Sequence, residues 1–78
     1  MDEHKILGKA HIEGTQRGFV VWVKTNKRSK AQLTDANEDY DAVKATANSI
    51  DRGRWVGRRH SKNVVFHVRG KVLTIDRV

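Results

Sequence analysis

Gly18-Phe19-Val20-Val21-Trp22-Val23-Lys24-Thr25 is the most strand-like stretch of the chain, almost wholly β-branched and aromatic. Downstream, Asn26-Lys27 offers a short turn, and Arg28 to Leu33 returns as a further strand. Upstream, Lys5 to Ile12 alternates loosely and ends at the turn-prone Glu13-Gly14-Thr15-Gln16. With a loop of even length, Val20 and Trp22 share a face with Ala31 and Leu33, and that face is the expected buried one. The reverse would then show Phe19, Val21 and Val23 beside Arg28, Lys30 and Gln32, with Phe19 free to stack on a base. A loop of odd length would swap the faces.

The period changes after Leu33. Asp35-Ala36-Asn37-Glu38 supplies capping residues, and Glu38, Asp39 and Asp41 suit the positive end of a helix dipole. Tyr40, Val43, Ala47 and Ile50 recur at helical spacing and form one apolar stripe. Gly53 follows as the helix-ending residue, with Arg52 near the negative end of the dipole. A helix this short needs a packing partner, so its stripe is expected to lie on the sheet. Beyond an arginine-rich connection, Asn63–Val68 and Lys71–Val78 read as a second hairpin turning at Arg69-Gly70. That turn opposes Phe66 to Leu73 and Val64 to Ile75 on one apolar face.

The expected fold is α+β, an antiparallel sheet of about five strands in the order β-β-β-α-β-β with the helix packed on one face. A small OB-like β-barrel, whose helix falls between strands three and four, is the alternative. All 78 residues form one basic domain, with a core too thin to enclose a deep substrate cavity. The first residues lack the pattern of a signal peptide, so the chain is read as complete from its own methionine. The longest apolar run, Phe19 to Val23, is far shorter than a membrane span. There is no cysteine, which fits a reducing, cytoplasmic setting and leaves no disulfide or thiolate metal site.

The net charge of +7 is unevenly placed. Asp35 to Asp51 carries −4, and the remainder carries +11. Residues 14–34 hold five bases without an acid, and residues 52–71 hold seven. One-signed blocks create a directional field, and a positive one attracts polyanions. The first expected binding cluster is Arg17, Lys24, Lys27, Arg28 and Lys30, on and around a hairpin whose basic face suits a DNA groove or an RNA surface. The second is Arg52, Arg54, Trp55, Arg58, Arg59 and Lys62, in a loop that also holds Gly53, Gly57 and Ser61. Guanidinium forks match phosphate oxygens, and Trp55 either stacks on a base or folds back onto the core.

The four histidines lack the spacing of a structural zinc site, so neither a metal nor a cofactor is expected. No nucleophile stands with a base and an orienting group, and no phosphate-cradling glycine motif is present. Acid–base RNA cleavage through His60, Arg58 and a serine is the one catalytic arrangement left open. The run from Arg17 to Ile50, a basic hairpin followed by an alanine-rich helix with an acidic start, resembles the three-stranded, sheet-reading DNA-binding domains of the AP2 and integrase arm-binding types. The likeness covers under half of the chain. Not all of the glycine and tryptophan signatures of those families are present, and the second hairpin has no counterpart there, so no family is assigned.

The expectation is a small non-enzymatic nucleic-acid-binding protein that contacts mainly phosphates. A phage- or mobile-element-type regulator docking on an acidic partner protein is the alternative. Lys5–Ile12 or Lys71–Val78, as a free sheet edge, would allow a strand-paired homodimer in place of a monomer.

Overall fold

The computed structural model describes residues 2–78, so Met1 lies outside the described residues. The element order is β1 (Asp2–Lys5), β2 (Leu7–Thr15), β3 (Gly18–Lys24), β4 (Lys30–Gln32), α1 (Tyr40–Asp51), β5 (Val56–Ser61), β6 (Val64–Arg69) and β7 (Val72–Arg77). Pairing is antiparallel throughout and divides into a three-stranded sheet, β2-β3-β4, and a four-stranded one, β1-β7-β6-β5. The fold is α+β with the helix on one sheet face, as the sequence implies, and there is no closed barrel.

Two sheets arise because the expected first strand breaks at Ile6. Its N–H donates to the Lys71 carbonyl at 2.8 Å, and its side chain is buried. Residues before it pair with β7, and residues after it pair with β3. The register then slips between Leu7 and His11, with Gly8 at a positive φ of 68°. Such a bulge bends the strand and leaves a backbone group unpaired. The Ala10 N–H, inside that irregularity, donates to Asp51 Oδ1 at 2.6 Å, which ties the end of the helix to the corner.

The loop between β3 and β4 spans residues 25–29, an odd number. Asn26 accepts from the Arg28 and Ser29 N–H groups at 2.8 Å each, so Arg28 is in the turn and β4 begins at Lys30. This Asx-type turn is longer than the expected Asn26-Lys27 turn and reverses the expected faces. Val23 opposes Ala31, and Val21 and Val23 are the fully buried pair. Trp22 looks outward with Lys24, Lys30 and Gln32. Phe19 turns inward, half-buried, its ring edge-on to Tyr40 at 5.1 Å.

Asp39 caps the helix by accepting from the Ala42 N–H at 3.2 Å. At the other end the Gly53 N–H donates to Ile50 and the Arg54 N–H to Ser49, both at 3.0 Å, with Gly53 at φ 68°. These two bonds are a Schellman ending, which favours glycine at that position. Val43, Ala47 and Ile50 face Val21, Val23, Ala31 and Leu33, and Val68 and Leu73 of the other sheet close the same core. Tyr40, expected in the stripe, is the first helical residue and stays 47% exposed, touching the sheet only through the edge of Phe19.

The second hairpin turns at Gly70-Lys71, one residue later than expected. Gly70 has a positive φ of 64°, so glycine rather than arginine takes the strained first position of the turn. Phe66 now opposes Ile75 and Val68 opposes Leu73. A shift of two in register keeps the same side chains on the same face, so the apolar face survives. The arginine-rich connection is largely a strand. β5 pairs along the whole of β6 although it contains a single apolar residue, Val56. β7 lies between β1 and β6 and has no free edge, whereas β1 and β2 each pair on one side.

Candidate nucleic-acid interface

The helix covers the inner face of β2-β3-β4, and the outward face is uncovered. At its centre Trp22 stacks on His11 from β2, ring centroids 4.0 Å apart and 8° from parallel. Lys30 from β4 places its Nζ 4.8 Å from the Trp22 ring, a cation–π contact, and 3.4 Å from Glu13 Oε1. His11 and Lys30 from the flanking strands thus both contact the indole, whose N–H has no acceptor among the described residues. The indole is occupied, and the exposed ring of His11 is what remains for stacking.

Around this centre are the cations of the hairpin. Lys24 is half-buried on β3, beside Leu7, His11, Asn26 and Lys27 around a hollow of about 360 Å³. Lys27 and Arg28 are exposed at the tip. Arg17 is exposed in the opposite turn, one strand length away, about 20 Å at ~3.3 Å per residue. On this face Glu13 is held by Lys30, and Asp35 lies with Arg17, Val20 and Gln32 around a second hollow. The chain then bridges Phe19 at Asn37 before the helix packs on the inner face.

The second predicted cluster is dispersed. Arg52 and Arg54 are exposed at the helix C-terminus, and Lys62 is exposed in the turn at the far end of β5. Along β5, alternate residues face opposite ways: Arg58 outward, Arg59 toward the core side. The Arg59 Nε donates to Asp35 Oδ1 at 3.1 Å, and its side chain is 22% exposed. Trp55 is half-buried against the core, its ring lying where a side chain at position 57 would be, which Gly57 lacks. Trp55 thus takes the core position that was one of its two expected places, and Arg59, expected on a phosphate, has a carboxylate partner instead.

Because both sheets line one core, their outward faces look in different directions, and the two basic segments do not merge. The outward face of the four-stranded sheet holds Val65, His67, Val72, Thr74 and Asp76, the polar hairpin face that the sequence implies without a role, and there His67 Nε2 lies 3.1 Å from Asp76 Oδ2. The alternation of Val64–Arg69 and Val72–Arg77 placed them together. Only the pairing of β5 adds Arg58 and His60. Among the described residues no group of three or more His, Cys, Asp or Glu side chains is arranged to hold a metal. Among them, too, no helix is long and apolar enough to cross a membrane. The chain matches no protein-family model, no curated protein and no solved structure.

Proposed function

We infer that this chain binds nucleic acid through the outward face of β2-β3-β4, with Lys24, Lys27, Arg28 and Lys30 on phosphates and Arg17 reaching a more distant one. The observation that carries this reading is a segregation of charge across a single sheet. Cations gather on and around the uncovered face, where Glu13 is paired with Lys30 and Asp35 with Arg59, while the helix that carries Asp39 and Asp41 packs on the inner face. Field lines from such an arrangement favour a polyanion approaching the open face. With Trp22 enclosed by His11 and Lys30, recognition is of backbone charge rather than of base identity, so sequence selectivity is weak.

Titration against duplex DNA and single-stranded RNA at two salt concentrations tests this. Neutralising about five phosphates gives a slope of log affinity against log salt near −4.5 on duplex and near −3.5 on single strands. Undetectable binding at low salt overturns the reading. Capture of a single acidic protein that persists after nuclease treatment would instead favour the regulator, since carboxylates suit the same cations.

A further inference from the structure

The outward face of the four-stranded sheet carries polar groups that the packing does not require. Cross-strand pairing sets Arg58 directly opposite His67, and His67 opposite Thr74. His60 lies one step along β5 on the same face, diagonal to His67. Diagonal neighbours of this kind are about 7–8 Å apart, with their Cβ atoms somewhat closer, a spacing at which two imidazoles can reach one phosphodiester. Arg69 is two residues beyond His67 on β6, so arginines at two neighbouring positions share the face of His67. Among the described residues neither Arg58 nor Arg69 makes an ion pair. An open basin of about 450 Å³ beside His67 is lined by Glu3, Arg69, Val72, Thr74 and Asp76, with Arg58 and His60 on the other flank of His67.

The Asp76 carboxylate, 3.1 Å from His67 Nε2, fixes that nitrogen as the donor and leaves Nδ1 as the acceptor. An oriented imidazole, a second imidazole and flanking guanidinium groups are the parts that metal-free cleavage of RNA requires. We propose that this face is an RNA-cleaving site, with His67 and His60 as the acid–base pair and Arg58 and Arg69 as the phosphate clamp. The proposal rests on the nucleic-acid reading and goes beyond it, because it assigns a reaction to the opposite side of the molecule.

The reaction balances without a co-reactant. His67 Nδ1 takes the proton of the ribose 2′-hydroxyl, and the 2′-oxygen forms a bond to phosphorus. The bond from phosphorus to the 5′-oxygen breaks, and His60 gives that oxygen a proton. The products are a 2′,3′-cyclic phosphate and a 5′-hydroxyl end. Arg58 and Arg69 stabilise the charge that develops on the non-bridging oxygens. Asp76 acts through His67 and is a positioning residue.

A single-stranded RNA of mixed sequence, labelled at its 5′ end, is incubated with the full chain in EDTA, beside its 2′-O-methyl analogue. The expected result is cleavage of the RNA to cyclic-phosphate ends, while the analogue is bound and left intact. His67→Ala and His60→Ala, purified in parallel, each lower the rate about 100-fold or more and leave affinity for the analogue within about twofold. Asp76→Asn lowers kcat while KM stays the same. RNA that is bound and remains intact overturns the proposal while the nucleic-acid reading stands. Cleavage that persists in the His60→Ala/His67→Ala double variant also overturns it. A chain that neither binds the analogue nor cleaves the RNA loses both.

Discussion

The two outward sheet faces differ in kind. That of β2-β3-β4 is made from one basic block of sequence and stays basic, because a hairpin keeps sequence neighbours together in space. That of β1-β7-β6-β5 draws on residues from both ends of the chain and mixes Lys5, Arg58 and Arg69 with Glu3, Asp76 and two histidines. A charge block in sequence becomes a charge patch in space only where pairing is local. Where distant segments pair, it is diluted and becomes a site of mixed chemistry. The first face suits capture of a polyanion, and the second suits proton transfer.

The largest expected effect tests whether the two faces belong to one body. Leu73 is fully buried where the four-stranded sheet meets the shared core. Leu73→Ala is expected to destabilise the chain by about 3 kcal/mol, with both sheets melting in one transition. Two separate transitions in denaturant, followed by circular dichroism, would show that the faces are independent.

Next comes Gly57→Ala. Its added methyl meets the Trp55 ring, so the ring must move, at a cost of about 1–3 kcal/mol. A red shift of tryptophan emission is the expected sign, and an unchanged spectrum would mean that Trp55 does not rest on this position.

Third, Lys24→Ala/Arg28→Ala should weaken RNA binding about tenfold and reduce the salt slope by roughly 1.4 on single strands, since each lost phosphate contact removes ~0.7. Arg52→Ala/Arg54→Ala, at the helix end, should change affinity by less than about threefold. Equal losses in the two variants would erase the distinction between the hairpin face and the rest of the basic surface. The smallest effect is Glu13→Gln. The Lys30–Glu13 pair is about half exposed, so stability should change by no more than ~0.5 kcal/mol while nucleic-acid affinity rises slightly. A fall in affinity would mean that Glu13 holds Lys30 in its binding position.

Much of the fold is legible from local pattern. The helix, its glycine ending, the β3 strand and the apolar face of β6 and β7 follow from period and propensity. The strand β5 was not legible. Val56-Gly57-Arg58-Arg59-His60-Ser61 has no apolar alternation, and it is extended because β6 supplies a ladder of partners. The hairpin cations of the candidate interface were legible as residues. The apolar residues expected beside them, Val21 and Val23, are instead buried, because the loop is odd in length and swaps the faces of β3.

By itself the sequence determined the secondary structure at each strongly patterned segment and the separation of acidic from basic charge. Both are properties of neighbours along the chain, set by side-chain period and by composition. Only the tertiary structure decided which face of β3 is buried, that Trp55 and Arg59 turn toward the core side, and that Arg58 and His60 share a sheet face with His67 and Asp76. Those outcomes depend on register and on a corner at Ile6, where one buried side chain and one hydrogen bond to Lys71 divide the chain between two sheets. Contacts between residues far apart in sequence choose among local conformations that the sequence leaves nearly equal in energy.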